Sequence, residues 1–313
     1  LRLAHPDGPS VVAVGGGHGL SASLRAIRRY AGEVTAIVSV ADDGGSSGRL
    51  RQALPDLLAP GDVRRCLGAL ADERSALGRA LEHRFGDEGS GGDLAGHALG
   101  NLLLVALAHE LGSFGAAVDE LVDQLRAVGR VLPATAVPVA LEGAAAPDGP
   151  AAGGAAASRR VVGQVAVQNT PGLRRLQLRP ADAASDPAVA ESLLDAHQVV
   201  LGPGSLFTSV LAAAIVPAVR EALAATSAQR VYVANLAPQL PETAGFSVDD
   251  ELAALASHGI EVDVVVVDPR RTAGAAAPEA RVVVAPVADP DRAVHDPERL
   301  AVVLGALAPQ PPT

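Results

Sequence analysis

Unbroken aliphatic runs recur along the chain, each closed by glycine, proline or a polar residue. Val11–Val14, Val34–Val40, Gln198–Leu201, Arg230–Asn235, Glu261–Val267 and Arg281–Val287 show little of the alternation of a half-exposed strand, and predict strands buried on both faces. Helical spacing fills the intervals. Leu20–Tyr30, with Leu24 and Ile27 on one face, is a predicted helix, as are Gly48–Leu54, Gly61–Ala71, Ser75–Phe85, Leu94–Gly112 and Phe114–Val128. Shorter strand patterns follow at Arg130–Thr135, Val137–Gly143, Val161–Asn169 and Leu173–Leu178, then helices at Pro187–Ala196, from Ser205, and at Val248–His258. The alternation predicts an α/β fold in a single domain: one interrupted, doubly wound parallel sheet covered by helices on both faces. Residues 144–157 are nearly all Ala, Gly and Pro, which predicts a flexible hairpin tip in a small β-hairpin region. No internal repeat is visible. The longest uncharged run, Val199 to Val219, is broken by Gly202-Pro203-Gly204 and by Pro217, so it reads as a strand and a buried helix rather than a membrane span.

In an open α/β sheet, ligands bind beyond the carboxyl ends of the strands. Four of those ends open into polar or glycine-rich turns: Gly15-Gly16-Gly17-His18-Gly19, Asp42 to Arg49, Gly202-Pro203-Gly204-Ser205, and Asn235 to Gln239. In a parallel sheet all four lie on one edge, around a space of nucleotide size. Glycines let a backbone approach a diphosphate, and the helix that follows offers free N–H groups and the positive end of its dipole. The dinucleotide fingerprint G-x-G-x-x-G fails at Leu20, where its third glycine would stand. A tight turn without ligand is the alternative for this loop, and packing or capping the alternative for His18.

Asp42 and Asp43 admit three readings: hydrogen bonds to a ribose, Mg²⁺ held beside a diphosphate, or capping of the turn that follows. Adjacent side chains seldom point the same way, so one is expected to face a ligand and the other to orient the loop. Ser46, Ser47 and Gly48 resemble a helix N-terminus suited to an anion, with Arg49 and Arg51 close by. Asp62 falls in the first turn of its helix, where capping is its default role, and Arg64 and Arg65 read as surface groups. His97 and Asn101 stand one turn apart in a nearly all-apolar stretch, four and eight residues after Asp93, and make a polar stripe that either lines a site or pairs within the core.

Composition narrows the chemistry. Of 313 residues 49% are apolar but only 2% aromatic, so Ala, Val and Leu must fill the core. There is no Lys, Met or Trp, and Arg carries all 25 positive charges. Schiff-base chemistry and the lysine phosphate clamp are thereby excluded, leaving Arg, backbone amides or metal to meet a phosphate. A net charge of −10 argues against non-specific nucleic-acid binding. The single cysteine, Cys66, excludes an intrachain disulfide and reads as a buried structural thiol. Leu1 to Ser10 is polar and broken by Pro6 and Pro9, unlike a secretion signal, and a soluble cytoplasmic protein without membrane insertion is expected.

Six segments taken in order resemble the YvcK family of gluconeogenesis factors, within the wider YvcK/CofD-like group. They are Gly15–Leu20, Val38–Arg51, Pro60–Arg64, Ala95–Leu103, Gly129–Pro133 and Leu201–Ser209, and the resemblance runs from about Val11 to Asp268. It implies a Rossmann-like three-layer fold and binding of UDP-sugars such as UDP-N-acetylglucosamine. It also implies a cytoplasmic role linking carbon metabolism to cell-wall synthesis and cell shape, with no established reaction, in a homodimer with cell-wall synthesis proteins as partners. CofD-type relatives instead use Mg²⁺ to transfer a phospholactyl-type group from a nucleoside-diphosphate donor to a deazaflavin. Under either reading the ligand residues expected are Gly15–Gly19, Asp42, Asp43, Ser46, Ser47, Arg49, Asp62, His97, Asn101, Gly202–Ser205, Asn235, Gln239 and Arg281, with Asp42 and Asp43 on any metal. The chain departs from the family pattern at His18, commonly Thr, and at Phe246, commonly Tyr.

Overall fold

The computed structural model describes residues 5–72, 74–86, 92–145, 159–271 and 280–309. In chain order its elements are β1 (Ser10–Gly15), α1 (Gly17–Ile27), β2 (Glu33–Val38), α2 (Gly45–Ala53), α3 (Pro60–Leu70), α4 (Ala76–Leu81), α5 (Leu99–Leu111) and α6 (Phe114–Gln124). There follow β3 (Arg130–Pro133), β4 (Ala140–Ala145), β5 (Arg159–Val162), α7 (Gln164–Gln168), β6 (Leu173–Arg179), α8 (Pro187–Leu194) and β7 (Gln198–Leu201). A π-helical segment (Leu206–Leu211) runs into α9 (Ala212–Ala214), then come α10 (Pro217–Ala225), β8 (Gln229–Val233), α11 (Val248–Ser257), β9 (Val264–Val267), β10 (Arg281–Val284) and α12 (Pro297–Leu307).

Seven strands form one sheet in the order β10-β9-β8-β7-β1-β2-β3, with every neighbouring pair parallel. The chain winds outward from β1 to β3 on one side and from β7 to β10 on the other, so the winding reverses between β1 and β7. Alternate residues of β1 feed opposite layers. Val12 and Val14 pack with Phe207 and Val210, whereas Val11 and Ala13 pack with Leu20, Leu24 and Val63. This is the three-layer architecture that buried, non-alternating strands require. The small second sheet is antiparallel, in the order β5-β4-β6. Ala144 and Ala145, at the start of the expected hairpin tip, belong to β4; the rest of that tip, 146–157, lies outside the described residues.

Two expectations are corrected and one element is added. The helix expected from Leu94 starts at Leu99, because Gly96 takes φ +74° and Ala98 is extended and bridged to Arg84. Continuous strand over Val161–Asn169 gives way after Val162 to α7. Gly163, at φ +103°, turns the chain there, and the two amides after it bond to Asp43. The C-terminal α12, unread in the sequence, packs on α1 and begins with an Asp296 cap and Pro297. Among the described residues no single helix is long and apolar enough to cross a membrane. Two adjoining helix pairs pass by length and composition together, but they bend by 119° and 75°.

Candidate functional site

The carboxyl ends of β1, β2, β7 and β8 enclose a cleft of about 400 Å³. It opens where the winding reverses, the position at which open α/β sheets hold ligands. Gly16–Gly19 and Gly204–Ser205 form its floor. The two loops touch so closely that a Cβ on Gly19 would stand 2.2 Å from the Pro203 carbonyl oxygen, which explains glycine there.

Several helices start at the cleft. Gly17 opens α1, Gly45 opens α2, and Pro60 opens α3, whose Gly61 and Asp62 line the wall; no N-cap side chain bonds any of these three N-termini, although the Asp62 carboxylate takes the Gly17 amide at the start of α1. Uncapped first turns leave backbone N–H groups without intrahelical partners and place positive dipole ends together. The π-helical segment is different. Its N-terminus is taken by the buried carboxylate of Glu242, which accepts from the amides of Phe207 (2.7 Å) and Thr208 (3.1 Å) and from the Ser205 hydroxyl (2.5 Å). Burial pushes this carboxyl above the usual range, against the pull of those three donors.

Ser46 Oγ lies 3.0 Å from His97 Nδ1 and accepts from Asn101 Nδ2 at 3.0 Å, while Arg64 Nε donates to Asn101 Oδ1 at 3.0 Å. Arg64 also pairs with Glu82. Arg64 is thus buried in the wall of the cleft rather than on the surface, and burial depresses its pKa. Arg65 lines the same wall and donates to Asp62 at 2.6 Å. Its Nε, like Gln239 Oε1, is buried without a hydrogen-bond partner among the described residues. Such atoms destabilise the fold unless something in the cleft completes them. Desolvation, then Arg65, lowers the pKa of His18 at the rim.

The adjacent carboxylates diverge. Asp42 lines the cleft, and its Oδ1 accepts from the Gly44 amide at 3.0 Å. Asp43 turns away: Oδ2 and Oδ1 accept from the amides of Gln164 and Val165, both at 2.9 Å. The second acid in the cleft is therefore Asp62, which takes the Gly17 amide; burial raises its pKa, Arg65 opposes that, and Asp42 adds to it. Mg²⁺ takes hard oxygen ligands and retains waters or phosphates. Asp42 and Asp62 are the carboxylates that line the cleft, so they, and not Asp43, are the ones that would reach such an ion. No group of three or more His, Cys, Asp or Glu side chains suited to a metal occurs among the described residues, so phosphate oxygens would complete the shell.

Other expected site residues stand outside the cleft wall. Gly15 ends β1 and takes the Ser39 amide on its carbonyl; Gly202 takes the Ser23 hydroxyl; Pro203 is covered by Gly19. Arg49 donates to the Ala95 carbonyl at 2.7 Å, His97 sits behind Ser46, and Asn235 holds Gly204. Arg281 is exposed at the amino end of β10, the wrong end of an outer strand. Phe246 packs edge-on to Phe207 at 6.2 Å. The wall also includes Arg84, Gln164, Val165, Gln168, Thr208 and Ser209, none of which was among the expected ligand residues, although Thr208 and Ser209 close the Leu201–Ser209 segment.

The sequence profile of the family described as 2-phospho-L-lactate transferase CofD matches residues 11–304. A putative gluconeogenesis factor of Mycobacterium tuberculosis (strain H37Rv) is 46% identical over 311 residues, covering 94% of this chain and 89% of that protein. A gluconeogenesis factor of Halalkalibacterium halodurans is 39% identical over 261 residues, 82% of this chain and 77% of its own. The crystal structure of a UPF0052 family protein from Bacillus halodurans superposes with a TM-score of 0.85 at 32% identity, covering 95% of this chain and 98% of that one. With the motifs and the three-layer sheet in agreement, the chain belongs to the CofD family, in its YvcK branch of gluconeogenesis factors.

Proposed function

We propose that this protein binds a nucleoside diphosphate sugar, of the UDP-N-acetylglucosamine type, and acts as a regulator of carbon metabolism rather than as a rapid catalyst. The observation that carries this reading is the meeting of three helix N-termini without N-cap side-chain bonds, α1, α2 and α3, on one cleft with arginines in its wall. Such a cleft favours a compact polyanion such as a diphosphate. Titration calorimetry with UDP-N-acetylglucosamine and Mg²⁺ tests it: saturable binding is expected, weakened at least about tenfold by Asp42→Asn. Absence of heat or thermal shift with UDP and UDP-sugars at millimolar concentration would overturn it. The relatives' name supports the metabolic role. The finer link to cell-wall synthesis and cell shape is checked by complementing a deletion strain on a gluconeogenic carbon source with wild type and Asp42→Asn; only wild type should restore growth and rod morphology.

The family profile and the Asp42–Asp62 pair favour a second reading, Mg²⁺-dependent transfer from a nucleoside-diphosphate donor. Such transfer needs positioning and charge neutralisation more than a protein nucleophile. Incubation with a deazaflavin acceptor and a guanylyl-phospholactate donor decides it, transfer of the phospholactyl group releasing GMP. Coupled product supports this reading, and unchanged donor removes it.

A further inference from the structure

The wall of the cleft has two chemical characters. On one side Arg64, Arg65 and Asp62 are charged; on the other α7 contributes Gln164, Val165 and Gln168, with no charge at all. Gln164 and Gln168 are four residues apart and share one face of the short helix. Neither carboxamide has a hydrogen bond to the protein among the described residues, although each offers two donors and an acceptor.

This helix is held in place by long-range contacts. Asp43, 121 residues earlier than Gln164, receives the first two amides of α7 on its two carboxylate oxygens. Gly163 makes room for that contact: a Cβ there would come within 2.5 Å of Asp43 Oδ2, and its φ of +103° suits glycine alone. Val165 packs against Gly44, where a Cβ would meet its Cγ2 at 3.0 Å. Consecutive residues thus serve two ends of one cleft, Asp42 facing the charged side and Asp43 fixing the neutral side.

Resting on the nucleotide-sugar reading, the geometry points to α7 as the element that recognises the carbohydrate of the ligand, with Gln164 and Gln168 as its hydrogen-bonding groups and Asp43 as the residue that positions them. Carboxamides match sugar hydroxyls, which both donate and accept, and the Val165 methyls suit the C–H face of a pyranose. Among the described residues no Phe, Tyr or Trp lines the cleft, and α7 itself offers a base no aromatic platform for stacking.

The test is the ratio of UDP-N-acetylglucosamine affinity to UDP affinity, measured by calorimetry with Mg²⁺ on the full chain. Wild type should favour the sugar nucleotide. The double variant Gln164→Ala/Gln168→Ala should reduce that ratio about tenfold, and Asp43→Asn, which turns an NH₂ toward a backbone N–H, should do the same. UDP-glucose beside UDP-N-acetylglucosamine shows whether ring hydroxyls alone carry the preference. A ratio unchanged in both variants overturns the assignment of α7 and leaves the nucleotide reading standing. A wild type that binds neither ligand overturns both.

Discussion

Asn235 holds Gly204 by both of its peptide atoms: Oδ1 accepts the Gly204 N–H at 3.1 Å and Nδ2 donates to the Gly204 carbonyl at 2.7 Å. One side chain from the end of β8 thereby fixes the loop after β7, so Asn235 shapes the cleft without lining it. Replacement by Asp keeps the acceptor but sets a carboxylate against a carbonyl. Asn235→Asp should destabilise the fold by about 1–3 kcal/mol and weaken nucleotide binding, whereas Asn235→Ser should do less. Urea melts and calorimetry on the two variants check the order.

Glu242 answers to pH. Its folded-state pKa lies above its unfolded value, so the folded chain holds that proton more tightly. Its contribution to stability is therefore full below the unfolded pKa and declines as pH rises through the folded one. Glu242→Gln should flatten this part of the stability curve, since the amide oxygen can still take the Phe207 and Thr208 amides. Glu242→Ala strands those buried donors and should cost about 2–4 kcal/mol at every pH. Urea midpoints between pH 4 and 8 distinguish the two.

Asp62 takes the Gly17 amide, so on the proposed nucleotide-diphosphate reading it would repel the ligand unless a cation lay between them. In EDTA, Asp62→Asn should bind UDP about tenfold more tightly than wild type. With millimolar Mg²⁺ the order should reverse, because wild type gains a shared ion. Calorimetry under the two conditions should show the crossing.

Gly19 meets backbone rather than a movable side chain. Gly19→Ala should therefore separate the β1 and β7 loops, at a cost above about 2 kcal/mol and a fall of ~5 °C or more in melting temperature. Gly112→Ala is a control for backbone conformation alone: it sits at φ +68° with nothing within 4 Å of a Cβ. Differential scanning calorimetry compares them.

The strands of the large sheet were legible because Val11–Val14 and Val264–Val267 are aliphatic without interruption, a pattern that burial on both faces imposes. The cleft's loops were legible as glycine and hydroxyl clusters at strand ends. Where neighbours compete, the sequence carried less. Which of Asp42 and Asp43 faces inward is decided by amides at 164 and 165. Those same contacts make α7 a helix, although Val161–Asn169 suits a strand equally well. Arg64 looked like a surface group because nothing local shows that α3 turns it toward Asn101, and the i,i+3 pairing of Arg65 with Asp62 does not by itself tell a cleft wall from a solvated face. Arg281 misled because register alone sets which end of β10 it occupies.

The placement of β1 between β2 and β7 governs how this molecule can be made. A nascent chain leaving the ribosome pairs Val11–Val14 on one side early, yet the other side stays bare until Gln198–Leu201 emerges. Gly16–Gly19 waits equally long for Gly204 and Ser205, so the pocket cannot close before that part of the chain is made. Prematurely terminated products would offer a sticky strand to one another and to proteases before they could hold any ligand.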